Sequence, residues 1–151
     1  DIFPVMQISW NDAVEYTKWM TVVTGENFRL PFEYEWEILG NHAGLNSITN
    51  TFINNKEHIE SDNDFLIKLK ENIKNSKFQL GLLWEWTLDW YDSYDGSVSN
   101  KDFGNIYKSL RGGSLLSDEI QKSKEFRFRR CPTARSPYYS FRVVLDKSKL
   151  M

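Results

Sequence analysis

Cysteine is nearly absent from this sequence. Cys131 stands alone among 151 residues, which excludes an intrachain disulfide and any cysteine-based zinc site. Histidine is almost as scarce, with only His42 and His58, and two imidazoles without a third ligand at usable spacing read as surface residues rather than a metal centre. No run is long and apolar enough to span a bilayer, and no charged start followed by an apolar stretch marks a signal peptide. The chain opens on Asp1 and not Met, as a fragment or a processed product would. An excess of one charge is missing too, since the formal net charge is −2. The late arginines Arg127, Arg129, Arg130 and Arg135 are interleaved with Phe and Pro, a local patch without the basic stripe that neutralises phosphates, so no nucleic-acid partner is expected.

Aromatic residues are what the sequence has in quantity, at 15% of the chain, and one domain over residues 1–151 has enough apolar area to bury a core. Residues 81–91, Gly-Leu-Leu-Trp-Glu-Trp-Thr-Leu-Asp-Trp-Tyr, concentrate rings and acids in one run. Read as a strand, the run puts Leu83, Glu85, Thr87 and Asp89 on one face and Trp84, Trp86, Leu88 and Trp90 on the other. The tryptophan face makes a core. Glu85 on the opposite face then has to meet an arginine, a backbone N–H group or a cation. The last of these makes it the candidate metal ligand.

Upstream, Ser9 or Asn11 caps a helix that runs to about Val23 and stops at Gly25. Its apolar set, Ala13, Tyr16 or Thr17, Trp19 or Met20 and Val23, recurs at helical spacing, and its aromatic side is expected toward the core. Pro31 marks the entry of a second helix, with Tyr34, Trp36, Ile38 and Leu39 as its apolar side and Gly40 and Gly44 as its end. Glu33, Glu35 and Glu37 in its first turns suit the helix dipole and solvation. Residues 45–77 change to Asn, Lys, Ser and Ile and read as an insertion within the domain. It holds a surface loop over 45–63, then a short helix with Phe65, Leu66, Leu69 and Ile73 on one side. Residues 92–104 are turn-rich, residues 109–114 give a strand running into Gly112 and Gly113, residues 126–129 alternate as a half-buried strand, and residues 139–145 form a closing strand.

Four stretches in this order resemble the formylglycine-generating-enzyme (sulfatase-modifying factor) family. They are residues 4–13 (Pro-Val-Met-Gln-Ile-Ser-Trp-Asn-Asp-Ala), residues 28–37 (Phe-Arg-Leu-Pro-Phe-Glu-Tyr-Glu-Trp-Glu), the tryptophan run, and residues 110–114 (Leu-Arg-Gly-Gly-Ser). The last leads on to Arg127-Phe128-Arg129 and the closing Ser140-Phe141-Arg142. The resemblance implies a variant of the C-type lectin fold: α+β, two helices plus an irregular antiparallel sheet with long loops. It also implies strands ahead of residue 4 that this sequence lacks: either a partner segment or a removed segment holds them, or the fold is a trimmed one. Phe32 stands where the family carries a Thr that caps the second helix, and Leu82 where it carries an Asn that helps bind calcium.

The family's catalytic branch holds Cu(I) between two cysteine thiolates, activates O₂ and converts a substrate cysteine to formylglycine. Such chemistry needs soft sulfur ligands. By the motif spacing those positions fall near Ser117 and Glu125, so copper is not expected and no catalytic residue is assigned. Cys131 resembles a structural cysteine of the family, an inert or partly buried thiol. A second branch resembles the iron-dependent sulfoxide synthases of ergothioneine synthesis, whose histidines come largely from a helical domain absent from this sequence. A third, the C-type-lectin-like variable proteins, uses the scaffold to bind through rigid aromatics with adaptable polar neighbours. Residues 90–94 and 130–139 share that character. The candidate binding residues are Trp90, Tyr91, Tyr94, Arg130, Arg135, Tyr138 and Tyr139, and their partner would be a protein or a small-molecule ligand. The competing reading makes Trp90 and Tyr139 core and pairs the arginines with Glu33, Glu37 or Glu85. The expected function is a non-catalytic binding module within a larger protein, and its rival is a formylglycine-generating oxidase of altered metal ligation.

Overall fold

The computed structural model of the chain describes residues 3–43, 59–75, 80–96 and 98–149. Ser9 starts the first helix. Its hydroxyl accepts from the Asp12 N–H (3.2 Å), and the Asp12 carboxylate accepts from the Ser9 N–H (2.7 Å), so two orphan donors are satisfied reciprocally. Helix α1 (Trp10–Thr24) then runs until Gly25, at φ +75°, turns the chain out. These are the bounds that the capping residues predict, but of the expected apolar set the small members are buried and the aromatic side is not. Ala13 and Thr17 are buried, whereas Tyr16, Trp19 and Val23 are 45%, 56% and 62% exposed. Small side chains let the helix lie close to its neighbours, and the larger stripe turns outward. There Tyr16 meets Trp19 and the edge of Phe141, each at 5.5 Å between ring centroids.

Strand β1 (Phe28–Arg29) leads into helix α2 (Glu33–His42). No side chain of Phe32 caps this helix. Asp89 accepts from the Glu33 N–H instead (2.7 Å), and Glu35 reaches back to the Phe32 N–H (2.8 Å), so a strand residue does the work of the missing threonine. The helix passes through Gly40, which is buried, and ends at His42. Trp36 is buried as expected, while Tyr34 and Ile38 face water. Helix α3 (Asp62–Asn75) starts inside the stretch read as loop and buries Phe65, Leu69 and Ile73; Leu66 is exposed. Residues 45–58, with His58, and 76–77 of the expected insertion lie outside the described residues.

Four strands make the main sheet in the order β4-β3-β2-β5: β2 (Trp84–Trp90), β3 (Lys108–Arg111), β4 (Phe128–Arg130) and β5 (Tyr139–Phe141). Both β2–β3 and β3–β4 are antiparallel. The β2–β5 pair is parallel, with Trp84 opposite Tyr139 and Trp86 opposite Phe141, which corrects the all-antiparallel expectation. The long return past the short helix α4 (Glu119–Lys122) supplies the crossover that a parallel pair needs. The closing strand also divides. After Phe141 the chain leaves the ladder at Arg142, which turns to Glu85, and β6 (Val144–Leu145) pairs with β1 in a separate two-stranded sheet.

Strand β2 is therefore central and buried on both faces through Thr87. On one face Trp84 and Trp86 join Ala13, Leu30, Leu110 and Tyr139 in the main core, and the Trp86 indole donates to the Ile8 carbonyl (3.2 Å). A second cluster forms where α3 brings Phe65, Leu69 and Ile73 onto Leu82 and Leu83. The paired glycines serve close approach. Gly112 sits at φ +96°, and a Cβ there would lie 2.8 Å from Cζ2 of Trp36, so any side chain would displace that ring.

Trp86→Ala is expected to cost about 3–5 kcal/mol, whereas Trp19→Ala on the exposed stripe should stay within about 0.5 kcal/mol. Urea unfolding of the two variants measures both. Equal losses would mean that the stripe on α1 is covered and the assignment of faces is wrong.

Candidate functional site

The charged face of the sheet is assembled from sequence-distant residues around Glu33, which is 2% exposed. Its Oε1 accepts from Nε of Arg111 (2.8 Å) and Nε of Arg127 (2.8 Å), and its Oε2 from Nη2 of Arg127 (2.7 Å). Arg111 is fully buried; it also donates to Glu37 (2.5 Å), the Tyr94 hydroxyl (2.7 Å) and the Lys124 carbonyl (2.5 Å). A buried guanidinium is tolerable only when its donors are met in this way. Arg127 stacks between Tyr91 and Tyr94, 4.7 and 4.2 Å from the ring centroids, while Arg129 pairs with Asp102. Burial, the largest influence on Asp89, raises its carboxyl above the ordinary range, and the neighbouring Glu33 charge adds to the rise. Burial likewise raises the Tyr94 phenol.

Of the three partners open to Glu85, the structure supplies arginine. Nε and Nη2 of Arg142 reach its two oxygens (2.5 and 2.6 Å), and the Trp36 indole donates a third bond (3.0 Å). The bidentate guanidinium meets the charge requirement for which a cation was considered. Among the described residues, no three His, Cys, Asp or Glu side chains are grouped to hold a metal ion. At the two positions to which the resemblance assigns copper ligands stand Ser117 and Glu125. The hydroxyl of Ser117 is buried and accepts from the Ser114 N–H (2.9 Å). Glu125 has 64% of its side chain in solvent, beside Lys124. A hydroxyl and an exposed carboxylate do not make a soft two-sulfur site. Cys131 is exposed and free, contrary to the partly buried thiol expected.

The candidate binding residues separate into distinct places. Tyr91 and Tyr94 flank Arg127, and Trp90 forms one wall of a cage around the Lys108 ammonium. Arg130 stacks on Phe128 at 4.0 Å, and Arg135 pairs with Asp12 (2.7 Å). Tyr138 sets its ring against the edge of Phe65 at 4.9 Å. Tyr139 is buried, T-shaped on Trp86 at 5.5 Å. Trp90, Tyr91 and Tyr94 thus lie in one stretch of chain, while Arg130 and Arg135 are exposed on another. Of the arginines, it is Arg111, Arg127 and Arg142, and not Arg130 or Arg135, that meet Glu33, Glu37 and Glu85.

Sequence reasoning missed Lys108. Its ammonium lies 4.0 Å from the ring centroid of Trp10 and 3.8 Å from that of Trp90, and donates to the Leu88 carbonyl (2.9 Å). The residue is 4% exposed. Burial pushes its amine down to about 8, with the Asp89 charge opposing the fall, and the two indole faces also favour the charged form. Its one sequence signal was a lysine opening an otherwise buried strand.

A family model for the Sulfatase-modifying factor enzyme 1-like domain matches residues 1–147. Among solved structures, PvdO from Pseudomonas aeruginosa superposes with a TM-score of 0.66 at 20% identity, over 93% of this chain and 60% of that one. Treponema denticola variable protein 1 does so with a TM-score of 0.59 at 16% identity, over 93% of this chain and 70% of that one. The chain therefore spans about three fifths of PvdO, and at these identities the likeness is one of fold. No curated protein sequence matches the chain.

A Lys whose amine sits near 8 in the fold and at 10.5 when unfolded binds fewer protons folded than unfolded between those values, so its contribution to stability rises with pH across that window. Measured by urea unfolding from about pH 7 to 10, the native protein should gain stability relative to Lys108→Met. A falling difference would show that the indoles hold the charge more strongly than burial opposes it.

Proposed function

The chain belongs to the sulfatase-modifying factor enzyme 1-like family, and from that premise we propose that it is a non-catalytic module, part of a larger protein, that binds a protein or a small-molecule ligand. The observation that carries this reading is the donor set at the copper positions, where a hydrogen-bonded Ser117 and a solvent-exposed Glu125 stand in place of two thiolates. A single exposed thiol, Cys131, does not complete a pair.

Two further features support binding. Trp90, Tyr91 and Tyr94 hold rings beside Lys108 and Arg127, rigid aromatic surface that orders at low entropic cost. The outward stripe Tyr16, Trp19 and Val23 leaves large apolar side chains in water, and both superposed relatives carry additional chain around the same fold. A partner segment covering part of this surface fits both facts. The structural calcium raised by the resemblance has no further support at Glu85, whose oxygens are engaged by Arg142 and Trp36.

Incubation with Cu(I), O₂ and a cysteine-containing sulfatase peptide is expected to leave the peptide cysteine unchanged by mass spectrometry. Formylglycine produced at enzymatic rates would overturn the reading in favour of an oxidase of altered ligation, and copper retained through purification would point the same way.

A further inference from the structure

Between the N-terminal lead and β5 lies a pocket of about 150 Å³, with Pro4, Leu83 and Phe141 on its apolar side and Glu85, Ser140 and Arg142 on its polar side. The two charged residues are committed to one another through a bidentate pair. Ser140 is only 4% exposed and lines the pocket; among the described residues no partner engages its hydroxyl. A buried hydroxyl turned toward open volume with its bonding capacity unused is what a ligand's polar atom would complete. The volume is about that of five waters, or of one six-membered ring.

We propose that this pocket is a socket for a compact, neutral, ring-sized group carrying one hydrogen-bonding atom. The body of the guest lies against Leu83, Phe141 and Pro4, and its polar atom meets Oγ of Ser140. Charge on the guest is disfavoured from both sides: a carboxylate faces Glu85, an ammonium faces Arg142, and either would have to disrupt a pair that already neutralises itself. Phenol and a tyrosine side chain of a docked peptide share this chemistry. The pocket does not depend on whether the module is catalytic, so loss of the non-catalytic reading would leave this inference standing, and the reverse holds too.

Titration of the whole chain with phenol, followed by amide chemical shifts, should give saturable changes at Leu83, Ser140 and Phe141 with a dissociation constant on the order of 1 mM. Benzoate and benzylamine should bind on the order of tenfold more weakly. Ser140→Ala should weaken phenol by roughly five- to tenfold, and Leu83→Phe, which fills the space, should abolish it. A Gly-Tyr-Gly peptide that produces the same shifts identifies a side-chain socket, whereas a response to phenol without the peptide identifies a small-molecule site. Absence of saturable shifts with phenol, charged probes that bind as well, or unchanged phenol affinity in both variants with native-like spectra would each overturn the proposal.

Discussion

Two carboxylates, Glu33 and Glu85, are taken almost entirely out of water, and the fold is arranged so that arginines reach them. Removing one partner of a buried pair leaves an uncompensated charge, at about 3–5 kcal/mol, so these contacts have to form together with the chain closure that brings them near. That closure is long. Arg111 and Arg127 lie 78 and 94 residues from Glu33, and Arg142 lies 57 from Glu85. The two acids sit on α2 and β2, the arginines on or beside β3, β4 and β5, and the Trp36 indole links the two systems by spanning α2 and Glu85. Sheet order and helix position thus follow from one requirement, that each buried anion meet a guanidinium.

The same requirement explains why β2 is buried on both faces although its sequence alternates. Its tryptophan face packs against α1 and Tyr139 by ordinary apolar burial. Its other face is equally dry but charged, and Thr87 and Asp89 continue it, the first donating to the Ser109 carbonyl (3.2 Å) and the second capping α2. Aromatic rings then work as cation platforms and not only as core. Trp10 and Trp90 enclose Lys108, while Tyr91 and Tyr94 enclose Arg127. Rings that would otherwise be free for a ligand are thereby partly occupied by the protein's own cations, which leaves Tyr94, half in solvent, as the most accessible of the set.

What was legible in the sequence was what is local. Ser9 with Asp12, Gly25, the strand of the tryptophan run and the need for open backbone at Gly112 are each dictated within a few residues. The choice of face on α1 was not, because two apolar stripes satisfy a helical period, and only tertiary packing selects Ala13 and Thr17 over Tyr16 and Trp19. The glutamates of α2 read as dipole partners or as partners of arginines, and which arginines claim Glu33 is not legible at its own end of the chain. Parallel pairing of β2 with β5 has no signature in either strand, since direction is set by the crossover between them. For the candidate site, the single-residue readings of Trp90, Tyr91 and Tyr94 place them near one another because they are neighbours in sequence. The role of Lys108 depends on Trp10, which is remote.

The motifs that carry the family resemblance are the ones that these pairs use. Glu85, Trp86, Arg111, Gly112 and Arg142 build the frame: a buried anion, a core ring, a buried guanidinium, a glycine that admits Trp36, and the guanidinium that pairs with Glu85. None of them needs to touch a substrate to be indispensable to the fold. Positions 117 and 125, where soft ligands would have to stand, lie outside that frame, one in the turn before α4 and the other after it. A chain can therefore keep the residues of this frame whatever donors stand at positions 117 and 125. Membership of the family fixes the architecture and leaves the chemistry to be argued from side chains outside that frame.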